Sequence, residues 1–173
     1  DGIEVELFGN IELPDDTEDA LEYGATGIGL FRSEFLFLSK EELPTEDEQF
    51  EAYRKVVQML EGRPVVIRTL DLGKDKVAKW QQESPSQNPA LGLTGIRLCL
   101  AEPQLFRTQL RAILRASAYG QIKLLLPMLS QISEVRATQR HIAEVEAQLR
   151  EEGVPFDKFI ELVGLTKFEN AYP

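Results

Sequence analysis

Two arginines at matching places in the chain are the residues best suited to chemistry. Arg32 follows the run Thr26-Gly-Ile-Gly-Leu-Phe31, and Arg68 lies near the end of Pro64-Val-Val-Ile-Arg68-Thr-Leu70. Both runs read as strands, and in α/β folds the working residues stand beyond the C-terminal ends of strands. A guanidinium there donates two parallel hydrogen bonds to a phosphate or carboxylate and stays charged. The alternative for each arginine is a structural ion pair with a nearby carboxylate, Glu34 or Asp71. Two arginines at equivalent strand ends lean toward an anion site.

The remaining reactive residues say less. Lys74, Asp75 and Lys76 follow Arg68 on a glycine-containing polar stretch; they could close over a bound phosphate or form a solvated turn. Arg97 is open between a ligand contact and a helix-surface pair. Arg107, Arg111 and Arg115 recur at i, i+4 and i+8, a basic stripe that reads as a solvated or interface face. His141, in Gln139-Arg140-His141-Ile142, reads as a surface histidine on a polar helix. Cys99, in Leu98-Cys99-Leu100, reads as a small core residue. With one cysteine and one histidine, neither an internal disulfide nor an unaided structural zinc site is expected.

Composition bounds the partners. The chain has 173 residues, 43% of them hydrophobic, and its 29 acidic against 19 basic residues give a formal net charge of −10. That length suits one domain with a substantial core, and the apolar fraction is too high for disorder. The acidic balance disfavours nucleic acid. It leaves room for a small anion, which needs only a few arginines in one place. No run approaches the roughly 18 apolar residues of a membrane span, and Asp1-Gly2-Ile3-Glu4 carries no basic or apolar leader. A cytoplasmic chain without a membrane partner is expected.

The elements that must position these residues alternate. Strands are expected at Val5–Asn10, Thr26–Phe31, Pro64–Leu70, Ile122–Pro127 and Phe159–Gly164. Between them, helices are expected from Pro14 to Tyr23, from Thr45 to Leu60, near Leu91–Ala101, over Pro103–Tyr119 and over Ser133–Glu152. Thr45 with Glu48 forms a capping box, and Phe50, Tyr53, Val57 and Leu60 should be buried. The glycines of Thr26–Phe31 suggest close backbone approach. The near-continuous apolar run of Pro64–Leu70 suggests a strand covered on both faces. Asp71 to about Pro89 is a long polar connection of the kind that is often functional. Long crossovers between strands argue for right-handed βα units and a parallel sheet, with a doubly wound sheet and a barrel both compatible.

Four segments bear a family resemblance. Gly27-Ile-Gly-Leu-Phe-Arg32-Ser-Glu34-Phe35, Pro64-Val-Val-Ile-Arg68-Thr-Leu-Asp71-Leu-Gly73-Lys-Asp75-Lys76, Asn88-Pro-Ala-Leu91-Gly92 and Gln109-Leu-Arg111-Ala-Ile-Leu-Arg115-Ala-Ser117 stand in the order of the phosphoenolpyruvate-utilising enzymes. Within these the chain resembles the Enzyme I family of phosphoenolpyruvate–protein phosphotransferases, from Asp1 to about Gly164. The resemblance implies an α/β fold, a partial TIM-type (β/α) barrel of about five parallel strands. Residues 1–164 would be the N-terminal portion of a phosphoenolpyruvate-binding (β/α)₈ barrel domain, and 165–173 a divergent or cloning-derived tail.

In that family the arginines matching Arg32 and Arg68 hold the phosphate of phosphoenolpyruvate, and the lysine matching Lys76 lies in the loop near the ligand. The phosphoryl group passes to a histidine on a separate domain and then to the carrier protein HPr. Magnesium is implied for the whole enzyme, with ligands on later strands; Glu169 falls near the expected glutamate but outside the family's pattern. His141 lacks the acceptor histidine's context, and Thr94 stands where the Leu-Gly-aromatic-Arg motif has arginine. The expectation is therefore a portion of a phosphotransferase that is inactive alone and self-associates through open sheet edges. The alternative is a non-catalytic binding or assembly module on the same scaffold.

Overall fold

Local chemistry fixes many of the element boundaries. The computed structural model describes residues 2, 5–39, 41–73, 93–157 and the backbone of 161–162. Its elements run β1 (Phe8–Ile11), α1 (Asp16–Glu22), β2 (Gly27–Arg32), α2 (Glu34–Leu38), α3 (Glu46–Met59), β3 (Val65–Arg68), α4 (Ile96–Ala101), α5 (Pro103–Ser117), β4 (Ile122–Leu125), α6 (Ile132–Glu151) and β5 (Glu161–Leu162). Thr45 caps α3: its hydroxyl accepts from Glu48 N–H, and Glu48 reaches back to Thr45 N–H at 2.8 Å. A cap of this kind stabilises by about 1 kcal/mol. Pro103 opens α5, where its missing N–H costs nothing.

The strands form one parallel sheet in the order β1-β2-β3-β4-β5. Each new strand adds beside the last in the same direction. A doubly wound sheet would reverse its order at a switch point, so this is a wedge of a (β/α) barrel. Gly27 permits the tight β2–β3 approach, since a Cβ there would stand 2.7 Å from Pro64 O.

Side chains alternate between two environments. Ile28, Phe31, Val65, Ile67, Ile122 and Leu124 are buried in the main core with Phe50, Tyr53, Val57 and Leu60 from α3. Each such side chain contributes roughly 1.5–3 kcal/mol by leaving water. Val66, Arg68, Lys123 and Leu125 point the other way and are half-buried. The expectation that β3 would be covered on both faces is thus met on one face among the described residues.

Two boundaries differ from expectation, and one helix, α2, was not anticipated. The strand expected at Val5–Asn10 forms at Phe8–Ile11, and Val5 and Leu7 are exposed. The apolar run after Arg32 turns at once into α2. The helix expected near Leu91 starts at Ile96, because Thr94 bridges Gly73 and Gly95 has φ 54°. Among the described residues no helix is long and apolar enough to cross a membrane. The segments 74–92 and 163–173 lie outside the described residues, together with the expectations placed on them.

Candidate functional site

Arg32 and Arg68 are register partners at the ends of neighbouring parallel strands. Strand alternation turns both away from buried Phe31 and Ile67, onto the inner face of the wedge. The structure thus brings these two sequence-predicted residues together. The third, Lys76, lies outside the described residues, as do Lys74 and Asp75.

Both guanidinium groups have acidic partners. Arg32 pairs with Glu12, just past β1, and its Cζ lies 5.2 Å from the centroid of the Phe35 ring. Arg68 pairs with Glu34 and, at 3.0 Å, with Asp71. Glu34 is only 6% exposed, and a carboxylate that deep needs a cation. The structural alternative weighed for Arg68 is therefore realised with both carboxylates named for it. Among the described residues, however, the Nε atoms of Arg32 and Arg68 and Oε2 of Glu34 are buried without hydrogen-bond partners. A tetrahedral anion could accept from those two N–H groups. Among the described residues, three carboxylates against two guanidinium groups leave this cluster one negative charge in excess.

Buried polar contacts hold the two strand ends together. Ser33 Oγ donates to Arg68 O at 2.6 Å and accepts from Gln109 Nε2 at 2.9 Å. Gln109 Oε1 accepts Leu70 N–H at 2.9 Å. Sequence reasoning missed Gln109, although it falls in phase with Phe106 and Ile113 on the buried stripe of α5. It also missed Glu12, which lies 20 residues from Arg32 with no local signal linking the two.

Gly95 closes the rim. Its amide donates to Leu72 O at 3.3 Å, and a Cβ would stand 3.2 Å from Pro127 O and 3.4 Å from Asp71 Oδ1. The bridge between Gly73 and Thr94 means that the chain leaves the site and returns to it side by side. Thr94 Oγ1 donates to Met128 Sδ at 3.5 Å, so a short hydroxyl stands where the resemblance leads one to expect an arginine.

The other candidates are placed elsewhere. Arg97 pairs with Glu134 at 3.3 Å, on the helix-surface side of the alternatives left for it. Arg107, Arg111 and Arg115 face an interface, but one within the chain: they pair with Glu144, with Glu46 and Glu152, and with Glu46 and Asp47. His141, expected at the surface, is half-buried. It packs edge-on against Phe106 at 5.8 Å and accepts from Arg107 Nε at 3.2 Å; burial and then Arg107 lower its pKa. Cys99 is buried as expected, and burial pushes its thiol up to about 12, which keeps it protonated.

The cluster does not fit a magnesium ion. Among the described residues no three acidic, histidine or cysteine side chains converge on a point, and Glu12, Glu34 and Asp71 each answer an arginine.

The family model "PEP-utilising enzyme, PEP-binding domain" matches residues 1–165. The chain is 49% identical over 162 residues to a phosphoenolpyruvate-protein phosphotransferase of Geobacillus stearothermophilus, covering 94% of this chain and 28% of that protein. It is 52% identical over 160 residues to the protein of the same name from Cupriavidus necator, covering 91% and 27%. With that of Bacillus subtilis it shares 46% over 162 residues, covering 94% and 28%. The chain thus spans little more than a quarter of the length of the curated relatives it matches.

Proposed function

The chain belongs to the PEP-utilising enzymes through their PEP-binding domain, and on that premise we propose that Arg32 and Arg68 hold the phosphate of phosphoenolpyruvate, with Lys76 close to the ligand. One observation carries this reading: two arginines stand in register at the C-terminal ends of adjacent barrel strands, each with a buried Nε that has no partner among the described residues. Their positive charge would offset charge on the transferring phosphoryl group, the main catalytic task in this reaction class.

The reaction proposed for the whole enzyme is phosphoryl transfer from phosphoenolpyruvate to a histidine on another domain and on to HPr, in sugar uptake in the cytoplasm. Magnesium, implied there by the family resemblance, would be held by residues other than those described. The 173-residue chain by itself is proposed to bind without turning over. Exposed Val5, Leu7 and Phe8 at the β1 edge support self-association through the sheet. Sedimentation of the chain as a clean monomer would remove that part of the proposal.

Titration calorimetry with phosphoenolpyruvate tests the ligand. Arg32→Ala and Arg68→Lys should each weaken binding by about tenfold or more, since lysine keeps the charge but loses the fork. Equal affinity in all three proteins would contradict the assignment.

A second reading, a non-catalytic module on the family scaffold, is favoured by the excess negative charge of the cluster and by Thr94. It predicts that the unaltered chain shows no heat of binding.

A further inference from the structure

Leu70 lies two residues beyond the end of β3, where the strand ladder no longer supplies a partner for its N–H. Thr69 N–H still reaches Leu125 O at 3.0 Å, but Leu70 N–H turns to the side chain of Gln109. Gln109 comes from α5, is 1% exposed and lies between Phe106 and Ile113 on the buried stripe of that helix. A leucine of similar size would fill that place without desolvating an amide, so the polar group needs a reason.

The directions of its hydrogen bonds supply one. Ser33 Oγ gives its only proton to Arg68 O at 2.6 Å, so towards Gln109 it must accept. That fixes Nε2 towards Ser33 and Oε1 towards Leu70 N–H. The second Nε2 proton reaches Tyr53 OH at 3.2 Å. Burial pushes the Tyr53 hydroxyl far above its usual range, so it stays neutral. One side-chain amide therefore holds the residue after Arg32 and the second residue after Arg68 in a single geometry.

We infer that Gln109, acting through Ser33, is a positioning residue that sets the spacing and direction of Arg32 and Arg68 for a shared anion. This rests on the reading that these arginines hold phosphoenolpyruvate. A guanidinium misplaced by about 1 Å loses much of its value at a reacting phosphoryl group. Relays of this kind act as a unit, so the effects of breaking two links do not add.

The test compares the unaltered chain with Gln109→Leu, Ser33→Ala, the double variant and Val57→Ala. Val57 packs beside Gly120, ahead of β4 at the opposite end of the sheet, and controls for lost stability. The first readout needs no ligand: amide exchange at Leu70 and NMR order of the Arg68 side chain. Gln109→Leu should speed Leu70 exchange at least tenfold relative to Val65 at the start of β3, and disorder Arg68, while Val57→Ala changes neither. The second readout is phosphoenolpyruvate affinity by calorimetry. Gln109→Leu and Ser33→Ala should each weaken it about tenfold, and the double variant by little more than either.

Folded Gln109→Leu with unchanged Leu70 exchange and Arg68 order overturns the inference. So does a variant with a loosened strand end that binds phosphoenolpyruvate as tightly as before. Absence of binding to the unaltered chain instead overturns the reading of the site, and the exchange readout still decides the role of Gln109. Should Gln109→Leu not fold, Ser33→Ala, the loss of one hydroxyl, decides by the same criteria.

Discussion

Arginine is concentrated in two regions of this fold, across the outer helices and at the strand ends, and it serves them differently. On the outside, Arg111 gives its Nε to Glu46 at 2.6 Å and its two terminal nitrogens to Glu152 at 3.1 and 2.6 Å. Arg115 joins Glu46 and Asp47 and lies 4.2 Å from the centroid of the Phe50 ring. These groups stitch α5 to α3 and to the end of α6. At the strand ends Arg32 and Arg68 also face carboxylates, yet each keeps an Nε without a partner among the described residues, and a buried amide fixes the backbone around them. Pairing with acids is common to both regions. Arg54 on α3 also keeps a buried Nε without a partner among the described residues, so what separates the two regions is that the support of Arg32 and Arg68 comes from the strands of the barrel.

Arg68→Ala leaves the Glu34 carboxylate buried without its cation, a loss of roughly 3–5 kcal/mol. Adding Glu34→Gln should recover most of it, as read by urea unfolding. Gly95→Ala attacks the same region through the backbone. With φ 54° and ψ −131°, and Pro127 O 3.2 Å from the new Cβ, it should cost about 1–3 kcal/mol and weaken ligand binding. In the outer region Arg115→Ala should cost only about 1–2 kcal/mol, from a partly exposed ion-pair network and a ring contact, and leave phosphoenolpyruvate affinity unchanged. A loss of affinity there would erase the distinction between the regions.

The smallest effect is that of pH, and it belongs to the outer helices. His141 is held below 6.5 by burial and Arg107, so protons favour the unfolded chain as pH falls from 6.5 towards its folded value. Glu134 loses some of its charge preference to burial, but the N–H groups of Ser130 and Gln131 and then Arg97 hold it below 4.5. Arg111 does the same for Glu152. Their stabilisation is complete above 4.5 and is lost as pH falls through the lower folded values. A thermal scan across pH should therefore decline in two limbs, and His141→Asn should flatten the first.

What could be read from the sequence follows the range of the forces involved. The Thr45–Glu48 capping box and the stripe Phe50, Tyr53, Val57 and Leu60 are set within a turn or two, and all formed as expected. The strand-end arginines were legible because apolar runs mark strands and the run ends mark the barrel mouth. The slip of β1 was not: Val5 and Leu7 alternate correctly but find no covering layer among the described residues. Glu12 meeting Arg32 and Gln109 meeting Leu70 depend on how distant segments pack, which periodicity does not encode. Gln109 did leave a trace, a polar residue on the apolar phase of a helix.

The most direct test follows arginine Nε–H resonances by NMR as phosphoenolpyruvate is added to the unaltered chain. Arg32 and Arg68 are expected to shift together and saturably, while Arg111, whose Nε is held by Glu46, stays in place. Unmoved Arg32 and Arg68 signals, or an equal response from Arg111, would contradict the assignment.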